Sequence, residues 1–299
     1  MSSRLPAPSY LAYRAGSGLT RLLPLRLAEV TAKGLGVAAA SLPSGRRATL
    51  ERHLRRVHGP DLRGPALARE VRRVFASYGR YWLETFRVPG LSPAELDANF
   101  FIDGLHHLQA ARAAGRGVIL AIPHLGGWEF GGAWFASKGF ELTVVVEPVE
   151  PPELSEWFVR LRRSLGLTIV PLGQGVATQV LRCLRGGGLV ALLCDRDLAG
   201  TGVEVEFFGE RTTLPNGPAT LALRTGAALL PTAAYFEGRR GHRALVRPPL
   251  DTARRGGLRE DVARVTQELA GELEALIRRA PEQWHLLQPN WPSDPGYRH

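Results

Sequence analysis

Apolar positions in the first hundred residues recur at helical spacing. In residues 9–40, Tyr10, Leu11, Leu19, Leu22, Leu23, Leu27 and Val30 are interleaved with Arg14, Arg21, Arg26 and Lys33, the pattern of a basic amphipathic helix. Pro24 has no amide N–H and clashes with the turn before it, so a kink or break is expected near the middle of this segment. Residues 46–58 carry Arg46, Arg47, Arg52, Arg55 and Arg56, which fits a solvated helix face or a contact with phosphate or membrane. Residues 65–87 set Val71, Val74, Phe75, Tyr78, Trp82 and Phe86 at helical spacing, an aromatic stripe expected to enter the core. From Phe100 the period changes. Short β-rich runs at 118–122, 142–146, 168–170, 189–193, 203–207, 229–235 and 244–246 alternate with helix-length segments at 104–114, 126–138, 153–165, 175–185 and 215–225. This alternation predicts an α/β fold with a mostly parallel central sheet, helices on both faces and a helical N-terminal portion. A last helix over 257–280 aligns Val262, Val265, Leu269, Leu273 and Leu276, and residues 288–299, rich in Pro and polar side chains, are expected to be irregular. No repeat or linker divides the chain. The expectation is one domain, with residues 1–99 as a helical membrane-associating portion docked on an α/β core at 100–285.

Size and composition narrow the function. A chain of 299 residues, 44% hydrophobic and 22% charged, can bury a large core. Its apolar runs are far shorter than the roughly 18 residues of a membrane-spanning helix. The net charge is +10, and Lys33 and Lys138 are the only lysines, so the excess is arginine. A planar guanidinium fork suits phosphate and carboxylate partners, leaving nucleic acid, an anionic membrane surface or a phosphorylated ligand. GC-rich coding alone would produce the same Arg-for-Lys usage, though not the excess of base over acid. No nucleic-acid module accompanies the charge, so no nucleic-acid partner is expected. The basic helices at 9–40 fit the interfacial plane of a membrane, or a core against which their leucines pack; the two can hold together. Cys183 and Cys194, both in apolar surroundings, make neither a disulfide framework nor a metal site. That cysteine usage fits a reducing, cytoplasmic location, and residues 1–8 show no features of an export signal.

The segment Val118-Ile-Leu-Ala-Ile-Pro-His124-Leu-Gly-Gly-Trp-Glu129 carries the chemistry. An apolar strand ends at Pro123, and His124 follows at its carboxyl end, where open α/β sheets bind ligands. A histidine there can take a proton from an attacking hydroxyl. Glu129, five residues on, is positioned in the chain to hydrogen-bond the other ring nitrogen and hold the tautomer. Gly126 and Gly127 would admit an acyl carbonyl to the backbone, and N–H groups at the helix start would stabilise an oxyanion. The competing reading is a structural histidine. Spacing alone decides nothing; the strand-end position and the two glycines favour catalysis.

A second strand ends in charge at Cys194-Asp195-Arg196-Asp197. Asp195, Arg196 and Asp197 could be an organising ion-pair cluster, or Arg196 could hold a phosphate. No further carboxylate pair supports a metal, so none is expected. Glu147 follows a strand directly, and Arg160, Arg162 and Arg163 sit on a helix as phosphate candidates or as a solvated face. Glu204 and Glu206 alternate with Val203, Val205 and Phe207, which fits one solvent-facing strand edge. Gly-x-Ser-x-Gly, a Walker sequence and a dinucleotide fingerprint are all missing.

His124-Leu-Gly-Gly-Trp-Glu129 resembles the His-x4-Asp/Glu motif of lysophospholipid-type acyltransferases. More narrowly, the ordered matches His124, Gly126, Trp128, Glu129, Asp195, Arg196, Asp197, Phe207, Phe208, Gly209, Pro215 and Gly217, across roughly residues 5–292, resemble the bacterial lipid A biosynthesis acyltransferase superfamily. The Asp195-Arg-Asp197-Leu pairing, the Pro-rich 147–154 segment and the Arg-rich chain look most like its actinobacterial branch acting on mannosylated phosphatidylinositol. The resemblance implies an acyl-CoA co-substrate with no further cofactor, a phosphatidylinositol mannoside-type glycolipid acceptor, and a peripheral place on the cytoplasmic face of the membrane. It carries His124 and Glu129 over as catalytic, and Glu147, Arg162, Asp195, Arg196 and Glu206 as substrate-binding. A lipid A-type or glycerophosphate acyltransferase, and a non-catalytic basic membrane-binding protein, are the alternatives.

Overall fold

A computed structural model describes residues 7–297. The N-terminal portion comprises α1 (Pro8–Leu22), α2 (Leu25–Ser41), α3 (Gly45–His58), α4 (Gly64–Arg87) and the short α5 (Pro93–Ala98). The expected break falls at Pro24, which precedes the first residue of α2 with extended backbone. Arg87 of α4 donates to the carbonyls of Thr20 and Leu23 at the end of α1, satisfying groups that the break leaves without intrahelical partners. Gly36 of α2 and Gly79 of α4 let the two helices cross in contact: a Cβ on Gly36 would strike the Phe75 carbonyl, and one on Gly79 the Ala32 carbonyl.

After these come β1 (Phe100–Asp103), α6 (Leu105–Ala113), β2 (Val118–Ile122), α7 (Trp128–Ser137), β3 (Leu142–Val146), α8 (Pro152–Ser164), β4 (Thr168–Pro171), α9 (Val176–Arg185) and β5 (Leu189–Leu193). A hairpin of β6 (Val203–Phe207) and β7 (Glu210–Leu214) leads to α10 (Gly217–Thr225), β8 (Ala228–Glu237), β9 (Gly241–Val246) and α11 (Leu258–Arg279). The main sheet has the order β1-β9-β8-β2-β5-β3-β4. All its pairs are parallel except β8 with β9, as the strand–helix alternation predicts.

Alternation along β2 divides the core. Ile119 and Ala121 face Val180 and Leu184 of α9, Ala219 and Ala222 of α10, and Leu269 and Leu273 of α11. Val118 and Leu120 face Leu108 of α6 and Phe130 and Ala133 of α7. The run at 203–207 does not join this sheet; it pairs with β7 as a separate antiparallel ribbon. Its alternation of exposed Glu204 and Glu206 with buried Val205 and Phe207 is that of a one-sided strand, for which the buried central positions of a parallel sheet have no place. The four-residue β1, the polar β7 and the six-residue α5 are too short or too poor in apolar residues for periodicity to reveal.

Among the described residues no helix is long and apolar enough to cross a membrane. In α1 and α2, Leu11, Leu19, Leu22, Leu27, Val30 and Leu35 stand exposed, Leu22 at 84%, so these side chains are not buried in the protein's own core.

Candidate active site

The register that pairs Ile122 of β2 with Leu193 of β5 continues past both strands. Cys194 donates its N–H to the Ile122 carbonyl at 2.9 Å, and two residues beyond the last pair, His124 meets Asp195. His124 Nδ1 lies 2.7 Å from Asp195 Oδ1, and the His124 main-chain N–H donates to Oδ2 at 3.0 Å. Asp195 is fully buried. Burial opposes its charge, yet the neighbouring His124 and the hydrogen bonds from His124 and Trp284 hold its carboxyl below the ordinary aspartate range. An ionised carboxylate only accepts, so Nδ1 carries the proton and Nε2 is left as the basic nitrogen. The His124 side chain keeps 27% of its surface open.

Glu129 does not take the role expected of it. It is 4% exposed, and its Oε1 accepts from Arg162 Nε at 2.9 Å and Nη2 at 2.6 Å, with the Tyr81 hydroxyl at 3.5 Å. Burial disfavours the charge on Arg162, and Glu129 more than restores it, so the guanidinium titrates above its usual range. Among the described residues no hydrogen bond joins Glu129 to His124. In the first turn of α7, Glu129 is drawn to the partly buried cation Arg162 on α8, while the strand register delivers Asp195 to the histidine. The glycines also serve a different end. Gly126, at φ +63°, donates to the Gln283 carbonyl, and Gly127 donates to Ala234. A Cβ on Gly126 would strike the Ala234 carbonyl and one on Gly127 the rings of His242 and Phe236. They seat the turn on β8, and their N–H groups are not free for an oxyanion.

A cavity of about 610 Å³ opens at His124, within the usual range for ligand sites. Trp82, Phe100, Gly131, Gly132, Phe135, Leu142 and Leu167 are among its apolar lining, and Glu147, Arg162, Arg196 and Asp197 also reach it. Trp82, from the α4 aromatic stripe, therefore meets this space as well as the core. Arg224 of α10 joins the lining, and among the described residues neither Arg196 nor Arg224 forms an ion pair. Asp195 stands behind His124, away from the cavity surface. Glu206 is elsewhere: it is exposed on β6, its backbone tied to Gln267 of α11, so it is not a lining residue. Asp197 folds its own loop, accepting from the N–H groups of Ala199, Gly200 and Gly202 and the Thr213 hydroxyl. Among the described residues no three His, Cys, Asp or Glu side chains converge as a metal site requires.

Sequence reasoning missed Trp284, His285 and Asn290. The Trp284 indole N–H donates to Asp195 Oδ2 at 2.8 Å, the Asn290 amide to the Asp195 carbonyl at 2.9 Å, and the His285 N–H to the His124 carbonyl at 2.7 Å. Burial and nearby His124 push the His285 imidazole down to about 3. The only signal in the sequence was two tryptophans, Trp284 just before and Trp291 within the segment read as irregular.

Residues 2–293 match the family described as bacterial lipid A biosynthesis acyltransferase. The chain is 45% identical over 223 residues to a phosphatidylinositol mannoside acyltransferase of Mycobacterium tuberculosis, covering 73% of this chain and 69% of that protein. It is 39% identical over 304 residues to the phosphatidylinositol mannoside acyltransferase of Mycolicibacterium smegmatis, covering 98% and 96%. A lipid A biosynthesis acyltransferase of Haemophilus influenzae is 27% identical over 186 residues, 60% of this chain and 55% of that protein. With its histidine at a strand end, the apolar cavity beside it and these matches along its length, the chain belongs to the bacterial lipid A biosynthesis acyltransferase family and is an O-acyltransferase.

Proposed function

We propose that the protein transfers a fatty acyl group, palmitoyl-like, from acyl-CoA to a mannose hydroxyl of a phosphatidylinositol mannoside, working peripherally at the cytoplasmic face of the membrane. The observation that carries the mechanism is the Asp195–His124 pair at the edge of an apolar cavity. His124 Nε2 accepts the proton of the sugar hydroxyl as its oxygen attacks the thioester carbonyl. Asp195 stabilises the imidazolium that forms. The tetrahedral intermediate collapses with cleavage of the C–S bond, and the proton on Nε2 passes to the departing thiolate. Ester and free thiol result, and no covalent acyl-enzyme is needed.

Glu129 enters this reading through Arg162, whose guanidinium it fixes in the cavity wall. Arg196 and Arg224, which also line the cavity and have no acidic partners among the described residues, suit the phosphates of a nucleotide-bearing donor. The mannoside acceptor is supported by the named function of the two actinobacterial relatives. The exposed leucines of α1 and α2 support a membrane surface as the place of work.

The test is transfer of label from palmitoyl-CoA to a panel of mannosylated phosphatidylinositol, glycerol phosphate and lipid A precursors, with wild type and His124→Ala. Label in the mannoside, lost in His124→Ala, is expected. Label in another acceptor alone would move the protein to a different branch of the family, and equal rates in both proteins would overturn the base.

A further inference from the structure

The residues around Asp195 outnumber what its bond to His124 requires. Oδ1 faces His124 Nδ1, while Oδ2 is bonded by the His124 main-chain N–H and by the Trp284 indole at 2.8 Å. An indole N–H is a donor with a single direction. Rotating the carboxylate away from His124 would strand that buried donor, so the bond selects one orientation of the acid. Asn290 acts on the backbone of the same residue through the Asp195 carbonyl.

Both donors come from the chain beyond α11, and that chain is anchored at two ends. Next to the site, Leu125 pairs with Trp284. At the far end, Asp294 Oδ2 accepts the N–H groups of Asn290 at 3.0 Å and Trp291 at 3.2 Å. Asp294 Oδ1 receives Arg56 of α3 at 2.9 Å, His53 of α3 lies 3.3 Å from Oδ2, and the Arg56 guanidinium stacks 4.2 Å over the Trp291 ring. Trp284, Asn290, His53 and Asp294 are all buried.

We propose that residues 284–294 form a strap that sets the geometry of the catalytic pair, with Trp284 and Asn290 as positioning residues. Trp284 fixes the orientation of the Asp195 carboxylate, Asn290 fixes its main chain, and Asp294 ties the strap to α3. The inference rests on the reading of His124 as the base, and the experiment separates the two.

Turnover of the full-length Trp284→Phe and Asn290→Leu proteins is measured with palmitoyl-CoA and the acceptor, alongside the downfield proton resonance of His124 Nδ1–H. That resonance is assigned by its loss in His124→Ala. Loss of one hydrogen bond at the acid is expected to lower kcat by about tenfold to a hundredfold while leaving both KM values within about twofold. The resonance is expected to move upfield or to be lost by exchange. Wild-type kcat with an unmoved resonance in a folded variant would overturn the strap, as would a lower kcat with the resonance unchanged, which marks a merely structural role. If Trp284→Phe does not fold, Asn290→Leu, which removes one side-chain hydrogen bond, decides by the same criteria. An active His124→Ala would instead sink the base, whatever the strap variants do.

Discussion

In the proposed reaction the buried carboxylate of Asp195 and the partly open ring of His124 act as one unit, and its parts are separable by substitution. Asp195→Asn keeps the shape but replaces an acceptor of the Nδ1 proton with an amide that can favour the wrong tautomer; kcat is expected to fall by about a thousandfold or more with little change in KM. Glu129→Gln should behave differently, because its partner is Arg162. Halving a buried ion pair is expected to lower stability by about 3 kcal/mol in denaturant unfolding, with a smaller loss of kcat than Asp195→Asn. Removing the stranded charge as well, in Glu129→Gln with Arg162→Met, should restore part of that stability. His285 adds a pH dependence. Its folded pKa is depressed to about 3, so below the ordinary histidine range the unfolded chain binds a proton that the native protein refuses. Stability therefore rises with pH across the window from about 4 to 6, by up to about 1.4 kcal/mol per unit from this one group. His285→Asn should flatten the slope of unfolding free energy against pH there by that amount, and an unchanged slope would show that His285 is protonated in the native state.

At the scale of elements, the first two helices carry apolar side chains that no described residue covers fully. Leu22, Val30 and Leu35 are 84%, 70% and 66% exposed. If these side chains enter the interfacial layer of a membrane, each leucine buried contributes on the order of 1.5 kcal/mol. Leu22→Ser combined with Leu35→Ser should then weaken binding to anionic vesicles by tenfold or more in a sedimentation assay, while activity on a short-chain, water-soluble donor and acceptor stays near wild type. Undiminished binding would assign the contact to another surface. Elsewhere the elements are held by specific devices: glycines where α2 crosses α4, and Arg87 over the broken end of α1.

For the molecule as a whole, the proposed work at a membrane would draw on a net charge of +10 over 299 residues, which acts on an anionic bilayer at long range. Affinity for anionic vesicles is expected to fall as ionic strength rises from about 0.05 M to 0.5 M, as the screening length contracts to a few ångströms. Binding to neutral vesicles should change little. The exposed apolar side chains and the excess charge would act together in this way, one at contact and the other at a distance.

The sequence alone was enough for those features whose cause is local. The break at Pro24 follows from a missing N–H, the amphipathic helices from 3.6-residue periodicity, and the parallel sheet from strands alternating with helices. His124 was legible because it stands where an apolar run stops, as was the charged end of the neighbouring run at Asp195. Which acid serves the histidine was not legible. Glu129 is five residues away along the chain and Asp195 seventy-one, and sequence distance favours the nearer. The order in which strands pair decides otherwise, since β2 lies beside β5 and their common register brings His124 against Asp195. The buried roles of Trp284, Asn290 and Asp294 were equally invisible, because a segment without periodicity looks irregular whether it is loose or clamped. Only tertiary packing supplies the partners that distinguish the two.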